Sequence, residues 1–471
     1  MLNLLPHDFN PGYDGMGTTD ANQKQAASYF REPWKYTDSD IQTLVRCTKK
    51  QFFHLALTCD GAQLRNSNLN VFGRCFLMLY KLCHQVSFAI LATLSGMKHS
   101  KVASDIFYRH LLHQYKFNCN IPKVIHNGTI NQVEIDKLLH QSHQRTPIFY
   151  KVLLKDFEDP KKENRIPVPL NLDGTYIDIA GSDDIELQKF MYYQPRANHV
   201  CKLLNLTDMA PKFVGLLPVA SSQSPSSGDG LLLAKHIELQ DSDTSGQYIR
   251  SILRGNATYF VILIVDAGFV IKVPNAPVES RGPNSVTLAS VCRQENCVLL
   301  HTSSRYERYH LERTEQGKIR KVDWTPGKPS LDENVINFSR KLRKSQEALH
   351  ATLKQNCKVL DMRHIWNESL LPLSGRQLER FGLPDDYKDV PKLSFIVTVC
   401  CSLVNAHHPG FYPKYMDSGA GAVRSANIFN SRLFLENPLL HEDIWPTSFT
   451  AARTAGTNWV ELRFGDLAQH D

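Results

Sequence analysis

Apolar residues recur at helical intervals through the first part of the chain. Ile41, Leu44 and Val45 are spaced for a helix opening at Asp38, and Thr48 with Gln51 forms a capping-box pair ahead of Phe52, Phe53 and Leu55. Residues 71–82 are apolar nearly all round, which predicts a helix inside a core. A short helix over 87–95 stops at Gly96, the residue best suited to a left-handed helix end. After Met97, Lys98 and His99, Ser100 is placed to cap a longer helix from Lys101 to Phe117. Short helix, glycine turn and longer helix make a helix-turn-helix outline, although an ordinary helical hairpin has the same pattern. Val102, Ile106 and Leu112 are expected to face the core, and Lys98, Lys101, Ser104 and Arg109 to face outward.

The pattern changes after a charged linker at 156–165. Strands are predicted over 168–178, 189–193, 202–206 and 213–219, then a Ser/Gly-rich loop at 221–230, a helix at 231–240 and a strand at 259–266. Strands, helix and strand in that order argue for a mixed α/β sheet. Residues 271–332 read as a polar insertion with short strands near 297–302 and 309–312. Helices follow over 334–356 and 390–405, the second tolerating Pro391 in its first turn. The expected organisation is a loose arm at 1–37, a helical region at 38–155, an α/β domain at 156–409 carrying the insertion, and an irregular tail at 410–471. No internal repeat is visible.

Composition narrows this only a little. With 471 residues, 42% hydrophobic and 21% charged, the chain is long enough for two or three domains and ordinary for a soluble protein. A net charge of +7 permits nucleic-acid binding without requiring it. The 11 cysteines show no paired spacing and are expected to be reduced, buried thiols of an intracellular protein. The N-terminus lacks the basic and apolar regions of a signal peptide, and no apolar run approaches the roughly 20 residues of a membrane span.

The candidate chemistry lies in acids set within apolar runs. Asp173 interrupts the strand Val168-Pro169-Leu170-Asn171-Leu172-Asp173-Gly174-Thr175-Tyr176-Ile177, where a carboxylate is costly unless paired or metal-bound. A second run, Tyr259 to Val265, delivers Asp266 at its end. The helix over 335–354 is dense in cations, with Leu342, Leu349 and Leu353 on its core side and Glu347 directed elsewhere. Asp173, Asp266 and Glu347 together suit phosphodiester chemistry, in which divalent ions about 4 Å apart activate a nucleophile and stabilise the leaving oxygen. Arg340, Lys341, Arg343, Lys344 and Lys354 would lie against a phosphate backbone. Asp229 is a reserve metal ligand, and Cys292, Cys297 and His301 fit no common zinc spacing.

In this order the residues resemble the Harbinger-type DDE transposases, also described as DDE-superfamily endonucleases. The resemblance rests on Asp173-Gly174-Thr175-Tyr176, Gln188, Lys202, Gly228-Asp229, Asp266-Ala267-Gly268-Phe269, and the set Asn337, Ser339, Arg340, Arg343, Glu347 and Lys354. It covers roughly residues 70–405. It implies an RNase H-like catalytic domain preceded by a helix-turn-helix region, with Asp173, Asp266 and Glu347 as catalytic metal ligands for Mg²⁺ or Mn²⁺. It further implies terminal-inverted-repeat DNA as substrate, action in the nucleus, a Myb-like partner and a second copy of the chain. Ala267 stands where the family's pattern has Arg, and the spacings between the acids are longer than expected, the insertion at 271–332 accounting for the second. Two other functions share this pattern: a transposon-derived DNA-binding or scaffold protein that has lost catalysis, and a nuclease that does not transpose.

Overall fold

Side-chain caps set where the first helices begin. In the computed structural model, which describes residues 30–58, 69–119, 132–146, 157–180, 198–216, 244–265, 294–301, 309–313, 319–323, 346–362, 371–383 and 390–407 with isolated positions between, α1 spans Asp38–Val45. Thr37 caps it and shares a reciprocal box with Asp40. Thr48 and Gln51 form the anticipated box ahead of α2, Lys49–Thr58, each accepting a hydrogen bond from the other's backbone N–H. Helix α3, Val71–Cys83, is buried at every position, as its all-round apolar pattern demands. Helices α4, Phe88–Leu94, and α5, Ser100–His113, follow, with Gly96 at φ 69° between them. The second helix continues past His113 as a π-helical turn, Gln114–Asn118.

Contacts divide the chain into two units. Among the described residues, the first holds those up to Cys119 with Asn356–Asp361, and the second holds those from 121 to Gln355 and from Met362 onward. The division falls earlier than the linker at 156–165, for a packing reason. Helix α6, Gln132–Arg145, buries Ile135, Leu138 and Leu139 in the hydrophobic cluster of the second unit's sheet.

In the first unit Gly73 lies where α3 meets the chain before α1. A Cβ built there would stand 2.0 Å from the Phe30 carbonyl oxygen, which is backbone and cannot swing aside. Helix propensity alone favours Gly→Ala by roughly 1 kcal/mol. We expect the opposite sign for Gly73→Ala, a loss of about 1–3 kcal/mol typical of overpacking. Thermal unfolding measures it, and a raised melting temperature would refute the close approach.

The second unit is a mixed α/β sheet. Its strands include β1 (Ile166–Ile179), β2 (Tyr192–Tyr193), β3 (Asn198–Thr207), β4 (Phe213–Leu216), β5 (Ala220–Ser221), β6 (Tyr259–Val265) and β7 (Val298–His301), and Asp361–Met362 also pairs β1. They are ordered β2-β3-β1-β6-β7, with β4 and β5 also pairing β3. Strand β1 is antiparallel to β3 and parallel to β6, and β6 is parallel to β7. Pro167 and Pro169 survive inside β1 because the Ile166 N–H bonds Thr258 on the β6 side. By strand alternation residues 167 and 169 would donate to the opposite side, which β3 does not reach until Asn171. A separate hairpin, β8 (Tyr309–Arg313) with β9 (Ile319–Asp323), forms inside the 271–332 insertion.

Side-chain alternation gives the sheet two different faces. Val168, Leu170, Leu172, Leu204, Leu206, Val261, Leu263 and Val265 pack with α6 and with α7, Thr244–Arg254, through Ile249, Ile252 and Leu253. Each fully buried leucine or valine contributes about 1.5–3 kcal/mol. The other face carries Asn171, Asp173 and Asn205 and receives α8, the helical residues 346–356. Helices α9, Gly375–Phe381, and α10, Lys392–His407, complete the described chain. The α10 residue Asn405 clasps Phe213 by both its backbone N–H, at 2.9 Å, and its carbonyl, at 2.7 Å. The helix expected over 231–240 and the tail from 410 lie outside the described residues.

Candidate functional site

Asp173 sits where the central strand outruns its parallel neighbour. The last register pair of β1 with β6 is Leu172↔Val265, and β1 runs on past it against its antiparallel partner β3, Asn205 standing opposite Asp173. The carboxyl end of a parallel strand at a change of strand direction is where open α/β sheets place their sites. Asp173 is 9% exposed, so its carboxylate is nearly but not fully covered. The backbone N–H of Gly174 donates to its Oδ1 at 2.8 Å.

Helix α8 packs over this point. Its buried positions include Gln346, Leu349, His350 and Leu353, a continuous stripe at helical spacing that mixes two leucines with two polar residues. The polar pair meets Asn205, which is fully buried in β3. Gln346 Nε2 donates to Asn205 Oδ1 at 3.3 Å, and His350 Nε2 lies 2.9 Å from Asn205 Nδ2 and 3.1 Å from Asn205 Oδ1. Across the ring, His350 Nδ1 lies 3.9 Å from Asp173 Oδ2. Burial, with a smaller push from Lys354, lowers the His350 imidazole to about 3, so it is neutral and this approach is not an ion pair. Phe213 stacks on the imidazole at 6.2 Å between centroids and 19° between planes.

Of the three candidate acids, Asp173 and the helix bearing Glu347 come together. Glu347 is exposed and precedes His350 by three residues, one turn of the same helix. Asp266 lies outside the described residues and follows Val265 directly in the sequence. Among the described residues no three His, Cys, Asp or Glu side chains form a metal-holding group. The sequence motifs do not point to Asn205, Gln346 or His350. Their signal was present in α8: Gln346 and His350 fall on the stripe defined by Leu349 and Leu353, and polar residues on a core stripe need partners.

The basic candidates divide as well. Lys98 and Lys101 are exposed, while Ser104 and Arg109 are half-buried and the Arg109 Nε is shielded from solvent. Val102 is 37% exposed rather than in the core. The buried positions of α5 are Ala103, Ile106, Phe107, Tyr108, His110, Leu111 and Leu112, so Ile106 and Leu112 face the core as expected and Val102 does not. His99, not Ser100, precedes the first turn, without a side-chain cap. Lys354 is half-buried on α8, and Arg340, Lys341, Arg343 and Lys344 lie outside the described residues.

Comparison with protein-family models, with curated proteins and with solved structures finds no match to this chain. The functional reading therefore stands on the motifs in the sequence and on the geometry around Asp173. Among the described residues no helix is long and apolar enough to cross a membrane.

Proposed function

We propose that the chain is a metal-dependent DNA endonuclease and strand-transferase of the Harbinger transposase type, built on an RNase H-like sheet with a helix-turn-helix region before it. One observation carries the reading. Asp173 follows directly on the Leu172↔Val265 pair, on the face of the sheet covered by the helix that bears Glu347. Asp266 follows Val265 in the sequence and lies outside the described residues.

Asp173 suits a hard divalent cation. It is an oxygen ligand on a rigid strand, with one carboxylate oxygen already fixed by a backbone N–H. Asp173, Asp266 and Glu347 would hold Mg²⁺ or Mn²⁺, whose chemistry when bound is activation of a nucleophile and charge stabilisation at the phosphodiester. The protein's own part is positional. Burial of Asp173 excludes most water from the carboxylate, and the β1–α8 packing sets where the Glu347 turn lies. Exposed Lys98 and Lys101 would meet DNA phosphates, an attraction that weakens with salt. The substrate is double-stranded DNA with terminal repeats, the setting is nuclear, and a Myb-like protein and a second copy of the chain are the partners the resemblance suggests.

The test is cleavage. Purified protein with Mg²⁺ should nick supercoiled or terminal-repeat DNA, and a chelator should stop it. Tight DNA binding with no nicking in either Mg²⁺ or Mn²⁺ would replace this reading with the catalytically silent scaffold, which Ala267 beside the second acid favours. Neither binding nor nicking would overturn both.

A further inference from the structure

We infer that Val102, in the first turn of α5, is a sequence-reading residue that packs on a thymine methyl in the major groove of duplex DNA. This inference deepens the reading of the helical region as DNA-binding, and it rests on that part of the proposed function alone.

Charge points to the partner. Between Asp60 and Glu134 the sequence holds eight Lys and Arg residues against a single acid, Asp105. Of the chain's 54 Lys and Arg and 47 Asp and Glu, 46 of each lie elsewhere and cancel, so this stretch carries the whole excess of +7. A cationic excess confined to the stretch that forms α3, α4 and α5 is the footprint of a polyanion-binding surface.

The packing shows which part of that stretch can reach a partner. Helix α4 ends in a Schellman turn, the Met97 N–H donating to the Ala92 carbonyl at 2.8 Å and the Gly96 N–H to the Thr93 carbonyl at 3.1 Å. Phe88 of α4 packs against Phe107 and Tyr108 of α5, with ring centroids 5.6 and 6.2 Å apart. These contacts fix α5 on α4 and leave its start uncovered: Lys98, His99, Ser100, Lys101 and Val102 are all exposed. Ile106, one turn further on, is fully buried. The first turn of α5 therefore reaches past the core. In a helix-turn-helix the N-terminal residues of the second helix meet base edges in the major groove.

Val102 is the one apolar side chain among those five. A β-branched residue there neither favours the helix nor, at 37% exposure, packs into the core. Beside Lys98 and Lys101, which would meet phosphates, it offers the kind of apolar surface that covers the C5-methyl group of thymine. Covering one such methyl is worth about fourfold in affinity.

The test uses the full chain to enrich binders from a pool of random-sequence duplexes. Each thymine of the best-bound duplex is then replaced singly by deoxyuridine, which removes only the methyl, and affinity is read by fluorescence anisotropy. We expect at least one thymine whose replacement weakens wild type about fourfold. Val102→Ser should bind the thymine and deoxyuridine duplexes alike, and Val102→Ile should keep the preference. Lys101→Ala should weaken binding to every duplex by a similar factor with the preference intact, as loss of a phosphate contact does. The Val102 variants should melt as wild type does, because the side chain is exposed. A wild type that enriches no sequence, or that tolerates deoxyuridine at every position, would overturn the inference. So would a preference that survives in Val102→Ser.

The parent reading fails separately. Selective binding that depends on Val102, without nicking in Mg²⁺ or Mn²⁺, upholds the inference and removes the nuclease. Nicking with no sequence preference upholds the nuclease and removes the inference. Neither binding nor nicking removes both.

Discussion

Asp173→Asn should abolish Mg²⁺-dependent nicking, by at least about 10²-fold, while leaving the protein folded. Removing a group that merely orients a metal ligand already costs 10–100-fold, and removing the ligand's charge costs no less. The fold should survive because Asn has nearly the same shape, and its side-chain oxygen can go on accepting the Gly174 N–H now made at 2.8 Å. Burial makes the charge a liability in the absence of a cation, since Asp173 is only 9% exposed. Melting of the variant in chelator should therefore lie within about 1 kcal/mol of wild type, the usual cost of an isosteric exchange. Added Mg²⁺ should raise the melting temperature of wild type only. Equal nicking by wild type and variant would remove Asp173 from the site.

Much of the frame that positions Asp173 was legible in the sequence. The long apolar run behind Pro167 and Pro169 predicted β1, and the run from Tyr259 predicted β6, because strands buried on both faces read as continuous apolar stretches. Helix α3 and the box at Thr48 were legible for equally local reasons. Helices α6 and α7 were not. In α6 only Ile135, Leu138, Leu139 and Ser142 are buried, on an otherwise polar segment rich in His and Gln, so its narrow stripe did not stand out. With no visible signal for α6, the charged linker is the plainest break in the sequence, whereas the contacts divide near Cys119. The contact of Asn205 with Gln346 and His350 was hidden for a different reason. Asn205 is one of several polar residues in a strand buried from Val200 onward, and His350 is one within a leucine-bearing helix. Each reads as incidental until the tertiary fold sets one against the other.

Asp159→Ala should be among the most destabilising single changes in the second unit, at about 3–5 kcal/mol, the range for breaking a buried ion pair on one side. Arg165 is buried immediately before β1, and its guanidinium Nη2 meets Asp159 Oδ1 at 2.6 Å. The same carboxylate accepts the backbone N–H groups of Lys161, Glu163 and Arg165, so it organises the whole turn that launches the central strand. Losing it leaves the Arg165 cation under the sheet with only the Arg254 carbonyl at 3.3 Å and the Phe260 ring at 5.9 Å, besides the longer 3.7 Å contact to exposed Glu163. The pair also gives the unit a specific acid sensitivity. Burial by itself would raise the Asp159 carboxyl, but the Arg165 side chain and the backbone donors outweigh it and hold the group at about 2. A carboxyl lowered on folding adds stability above its unfolded value, near 3.9, and loses it as pH falls through the folded value. Wild type should therefore lose this contribution between about pH 4 and pH 2. Asp159→Ala should show a flatter stability profile across that window, with the difference between the two proteins shrinking toward pH 2. Denaturant melts at a series of pH values measure it. A constant difference down to pH 2 would show that the Asp159 carboxylate is not what anchors Arg165 beneath β1.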